Sequence, residues 1–223
     1  MLLLTNAFAL SLLGLFVYAQ PIDHTAMRIA DVEADFNSTG LVPGLVPSFN
    51  PSAVMTVTFP GVGNISPGQN LSVQQVATAP NVSITPANSS VPTTGNFTLL
   101  MVDSIPFGAN DSSNRVLHWL TNSATLQSDS SGCPSLNVST DGGLVVANYH
   151  SPSPPPGTGL HHYVILLFPQ PASFSPPANL STTIVGIDFY FHINDYVSSS
   201  NLGQPIAGMF FDVQAPPNTT QPL

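Results

Sequence analysis

From residue 53 onward the chain is a succession of apolar runs broken by proline, glycine, asparagine and serine. Runs at 54–59, 71–76, 97–102, 117–122, 144–147, 163–168, 182–193 and 209–213 are rich in β-branched and aromatic residues and predict strands. Several, such as Tyr163-Val-Ile-Leu-Leu-Phe168, are apolar at every position, which predicts strands buried on both faces within a layered sandwich. Helical spacing is rare. Met27, Ile29, Val32 and Phe36 form an approximate stripe over 25–36, with Asp31, Glu33 and Asp35 largely off it. Pro43 and Pro47 prevent its continuation. Only 195–201 invites a second, short helix. The pattern predicts a mainly β chain, a predominantly antiparallel β-sandwich with one or two short peripheral helices.

Ahead of this pattern, 2–18 is almost wholly apolar, and Val17-Tyr18-Ala19 offers a small-residue cleavage site before Gln20. Residues 1–19 are therefore expected to be a secretory signal peptide; the run falls slightly short of a membrane span. One domain is expected over 20–214, followed by a polar, proline-rich, flexible tail at 215–223. The mature chain is expected to be secreted, with no transmembrane segment. Asn-x-Ser/Thr sequons at Asn37, Asn64, Asn70, Asn81, Asn88, Asn96, Asn110, Asn137, Asn179 and Asn218 agree with that route. Asn96, at the head of a strand, is the weakest of them. Cys133 is the only cysteine, so no intramolecular disulfide can form.

Charge narrows the function classes. Only 6% of the 223 residues are charged, and the formal net charge is −9. There is no lysine, and Arg28 and Arg115 are the only arginines. Nucleic-acid binding requires phosphate neutralisation by such side chains and is excluded. Attraction to an anionic membrane surface is disfavoured for the same reason. Solubility must depend on hydroxyls, amides and attached sugars.

The candidate chemistry is concentrated in three segments. The first, Thr98-Leu-Leu-Met-Val-Asp103, ends an apolar strand in an acid, which must be solvated or paired. Asp103 also fits a turn-starting position. The second, Leu117-His118-Trp119-Leu120, carries a histidine that fits either a site or a structural strand position, beside a tryptophan expected to pack beneath. The third is a stiff loop, Pro154-Pro155-Pro156-Gly157-Thr158-Gly159, which delivers His161, His162 and Tyr163 into a strand. Its backbone N–H groups at 157–159 can face an anion. His161 and His162 must point to opposite faces, so only one can enter a shared pocket. No HxH or HxxxH spacing supports a metal site built from Asp103, His118 and His161. No Gly-x-Ser-x-Gly marks a nucleophile, so no catalytic residue, metal or cofactor is expected.

In order and wording these three segments resemble the phosphatidylethanolamine-binding protein family. That family places an acid after a strand, then His-Trp or His-Phe, then Pro-Pro-x-Gly-Thr-Gly-x-His-Arg-Tyr. The likeness runs from about residue 45 to residue 214. It implies a ligand site of Asp103, His118, Pro155 and His161, with Tyr163 near the rim. This chain departs from the pattern twice. Ile105 stands where the family has a second acid, and His162 replaces the arginine that pairs with an acid in the sheet. The resemblance implies non-enzymatic binding of a small anion or phospholipid head group. The alternatives are inhibition of a protease such as a carboxypeptidase through a surface loop, and an extracellular structural glycoprotein with a vestigial pocket.

Overall fold

The computed structural model describes residues 24–104, 115–128, 134–184 and 187–217. Helix α1 (His24–Ser38) buries Val32 and Phe36. The other half of its expected stripe stays out of the core: Ile29 is half-buried and Met27 is 55% exposed. Helix α2 (Leu41–Gly44) is a single turn beyond the sequence expectation, since Pro43 and Gly44 both argue against it. Helix α3 (Ile193–Ser199) matches the expected short helix closely. Three α-helices, rather than one or two, are thus present among the described residues.

Among the described residues eleven strands follow α2 or flank α3: β1 (Ala53–Phe59), β2 (Gly63–Asn64), β3 (Gln69–Leu71), β4 (Asn81–Pro86), β5 (Phe97–Asp103), β6 (Arg115–Ser128), β7 (Leu136–Ser139), β8 (Leu144–Ala147), β9 (Leu160–Pro169), β10 (Asp188–Phe191) and β11 (Ala207–Gln214). Their hydrogen-bonded order is β2-β1-β4-β7-β6-β5-β9-β11-β3, with β8 and β10 also on β6. All pairings are antiparallel except β3 with β11. Two expected strands shrink. Of 71–76 only Leu71 is in a strand, the rest turning away. Among the described residues of 182–193 only 188–191 is strand, and α3 begins at Ile193. Strands β2, β4 and β7 were missed, although in β4 Val82 and Ile84 alternate with Asn81, Ser83 and Thr85 at the period of a half-buried strand.

Strand β6 makes the curled sheet into two layers. Its end, Thr125 to Ser128, pairs with β7, whereas its start pairs with β5, β10 and β8. The turn between the halves is a bulge at Asn122 and Ser123, where Ser123 takes φ 57°. One core, with Met55, Val57, Ile84, Phe97, Leu99 and Ile165, fills the space between the layers. A second, with Phe36, Phe49, Leu100, Leu166, Tyr196 and Phe210, lies between the β5–β9–β11 sheet and the helices. That sheet is covered on both faces, so every residue of β5 is buried.

Candidate functional site

Asp103, His118, Pro155, His161 and Tyr163 line one cavity of about 310 Å³ at the end of the β5–β9 sheet. Register brings the first group of them together. Asp103 on β5 is paired with Tyr163 on β9, and β9 alternation puts His161 on the same face as Tyr163. The walls add residues the sequence reading did not single out: Val116, Thr158, Ile187 and Phe189 among them. Larger cavities exist elsewhere: two, on the outer face of the β4–β7 sheet and beside α1, have no imidazole in their walls, and a third, beside the start of α3, is lined by His192, Arg115 and Asp195 but by none of the three clustered residues Asp103, His118 and His161.

His118 reaches this cavity because of a defect in pairing. Met101 is opposite Trp119 and Val102 opposite Leu117, which leaves His118 as an extra residue in β6. Plain alternation would send His118 and Trp119 to opposite faces. The bulge turns both toward the inter-layer side, His118 into the cavity and Trp119 into the core beside it. His118 Nδ1 and the carbonyl of His150 are 2.8 Å apart, and the amide of His150 donates to the carbonyl of His118 at 2.7 Å. Nδ1 therefore carries a proton, and Nε2 is the ring nitrogen left for the cavity. Burial pushes the imidazole below the ordinary histidine range, against the raising effects of the His150 carbonyl and the Asp103 carboxylate.

His161 is held at both ring nitrogens. Nδ1 donates to Asp103 Oδ2 at 2.6 Å, with both side chains 6% exposed. Nε2 lies 2.7 Å from Thr158 Oγ1, and that hydroxyl donates to the carbonyl of Pro155, also at 2.7 Å. A threonine hydroxyl has one proton. That hydroxyl therefore bridges the proline-loop carbonyl and the imidazole. Thr158 thus clasps the proline loop to His161.

Tyr163 is 1% exposed, so it forms the floor of the cavity and not its rim. Its ring meets His118 edge-on at 5.0 Å and stacks on Phe211 at 5.6 Å. Burial first, and then the Asp103 carboxylate, raise its hydroxyl well above the usual tyrosine range. Two of the three loop amides expected to face an anion are already taken. The amide of Gly157 donates to Pro216 and that of Thr158 to Pro155. Ala215 and Pro216, which the sequence assigns to the tail, are bonded to this loop. Ile105 and Cys133 lie outside the described residues.

His162 faces away from the cavity, as its neighbour's position requires. Nδ1 donates to Asp212 Oδ1 at 2.5 Å, and the ring sits edge-on to Phe210. The support expected to weaken with loss of the arginine is instead provided by an imidazole–carboxylate pair. Among the described residues no cluster of histidine, cysteine and acid is arranged to hold a metal, and no helix is long and apolar enough to cross a membrane.

A family model for the phosphatidylethanolamine-binding protein matches residues 52–211. The chain belongs to the phosphatidylethanolamine-binding protein family. Within it, the 26 kDa secreted antigen of Toxocara canis is 32% identical over 184 residues, 81% of this chain and 63% of that protein. The chain thus spans less than two thirds of that relative's length. The carboxypeptidase Y inhibitor of Saccharomyces cerevisiae is 29% identical over 145 residues, 56% of this chain and 65% of the inhibitor. A crystal structure of carboxypeptidase Y inhibitor with its cognate proteinase superposes with a TM-score of 0.65 at 22% identity, covering 87% of this chain and 98% of that one. Family membership and fold therefore agree with the cavity's residues, which lie inside the matched span.

Proposed function

We propose that this family member is a non-enzymatic binding protein whose cavity takes a small oxyanion, free or as a phospholipid head group. The observation that carries the reading is the convergence of Asp103, His118 and His161 in one cavity with an apolar wall of Val116, Pro155 and Phe189. With His161 committed to Asp103 and Thr158, His118 Nε2 is the adaptable contact. In its neutral form Nε2 only accepts a hydrogen bond. An oxyanion binds there either bearing a proton itself or by protonating His118. Titration with phosphate and with phosphoethanolamine tests this: saturable binding that His118→Gln abolishes is expected, and no binding of either compound removes the reading.

The likeness to carboxypeptidase Y inhibitor favours a second activity, inhibition of a carboxypeptidase through a surface distant from the cavity. Inhibition of carboxypeptidase Y that survives His118→Gln would assign it to such a surface. We further propose secretion after cleavage near Gln20, with glycosylation. The sequon asparagines among the described residues, Asn37, Asn64, Asn70, Asn81, Asn88, Asn96, Asn137 and Asn179, are all exposed. N-terminal sequencing of secreted material should begin at or near Gln20; finding Met1 would overturn it.

A further inference from the structure

The outer face of the layer formed by β1, β4, β7 and the end of β6 is mostly amides and hydroxyls, apart from Val54, which lies beside α1, and Asp141 at the border. One row runs across four strands through Thr56, Ser83, Asn137 and Gln127. The next row holds Asn64, Thr58 and Asn81. None of these side chains is charged or apolar, and their strand neighbours Met55, Val57, Val82, Ile84 and Val138 fill the core behind them. The path of strands ends on this layer in β2, two residues long.

Such a face has a physical liability. Ladders of amide side chains on a β-sheet stack against copies of themselves, and a strand edge templates pairing with another chain. The usual remedy is lysine, and this chain has none. Yet three of the amides on the face, Asn64, Asn81 and Asn137, begin sequons. In a strand the two polar members of Asn-x-Ser share a face, so Ser83 and Ser139 lie beside their asparagines. Ser83 of one sequon is directly opposite Asn137 of another. Asn64 and Asn81 flank Thr58, at two strand spacings or roughly 10 Å. Thr58, Asn81, Ser83, Asn137, Ser139 and Asp141 border an open groove of about 530 Å³ at the attachment points.

We propose that N-linked glycans at Asn64, Asn81 and Asn137 cover this sheet face and keep two copies of the chain from stacking on it. The inference rests on the reading that the chain is a secreted glycoprotein, and it is independent of the cavity at the other end of the fold.

The test uses the full chain secreted from a eukaryotic host. Glycopeptide mass spectrometry should find Asn64, Asn81 and Asn137 occupied. The triple variant Asn64→Gln, Asn81→Gln, Asn137→Gln is compared with a control triple, Asn37→Gln, Asn88→Gln, Asn179→Gln, by size exclusion with light scattering. The face variant should self-associate, its mass roughly doubling or more, while the control elutes like wild type. If the face variant is not secreted, folded wild type trimmed to single N-acetylglucosamine stubs should associate in the same way. A monomeric face variant with a native circular dichroism spectrum overturns the inference, as does a trimmed protein that stays monomeric. Occupancy at other sequons but not at these three overturns it while leaving the glycoprotein reading intact. No glycan at any sequon overturns both.

Discussion

His118 and His150 exchange two hydrogen bonds: the amide of His150 donates to the carbonyl of His118 at 2.7 Å, and His118 Nδ1 donates back to the carbonyl of His150 at 2.8 Å. This clamp fixes the bulged residue of β6 and its tautomer together. It therefore determines which nitrogen the cavity offers to a ligand.

Binding of phosphate or phosphoethanolamine should strengthen as pH falls from about 8 to about 5.5. Burial lowers the His118 pKa in the free protein, and a bound anion favours its charged form, so binding takes up a proton. Ligand protonation near pH ~6 blunts the acid end. Calorimetry in buffers of different ionisation enthalpy reads the proton uptake. His118→Gln should flatten the slope. A slope that persists in that variant would transfer the effect to His161 or to the ligand alone.

The Asp103–His161 pair should matter most when broken on one side. Asp103→Ala removes the Nδ1 partner of a buried imidazole that then keeps only its Thr158 contact, and should cost about 3–5 kcal/mol in urea unfolding. The double variant Asp103→Ala, His161→Ala should cost clearly less than the sum of the singles. Additive losses would show that the two side chains are not coupled.

His162 should stabilise the fold toward acid. Its bond to Asp212 raises its pKa above that of the unfolded chain, with burial opposing. The folded state then holds the proton more tightly. This contribution is fully present below about pH 6.5 and is lost as pH rises through the folded-state pKa. The gap in Tm between wild type and His162→Gln should therefore be largest near pH 5.5 and shrink by pH 8.5. A gap that widens with pH would contradict the pairing.

Gly208 on β11 is closely packed by Leu166 of β9 and by Phe49 of the segment after α2. A Cβ there would stand 2.8 Å from Leu166 Cδ2 and 3.0 Å from the Phe49 ring, which itself stacks on Phe36. Gly208→Ala should destabilise by about 1–3 kcal/mol in denaturant titration. A neutral substitution would mean that Phe49 moves freely, contrary to its packing in the second core.

Phe97-Thr-Leu-Leu-Met-Val102 and Tyr163-Val-Ile-Leu-Leu-Phe168 announce the central sheet because a strand covered on both faces must be apolar throughout. The Pro-Gly loop and the parity of β9 likewise assign His161 and His162 to opposite faces, since successive strand side chains alternate by covalent geometry. Those features are local, and the amino-acid order determines them. Whether His118 faces the cavity was decided by the tertiary structure. The bulge arises only when β5 pairs with β6, and nothing in Leu117-His118-Trp119 encodes the extra residue. The partner of His162 was equally hidden, because Asp212 lies 50 residues away and meets it only through the β9–β11 register. Tyr163 became a buried floor because Phe211, directly opposite it on β11, stacks on its ring. Burial depth and pair identity depend on contacts between distant segments, and sequence periodicity carries no record of them.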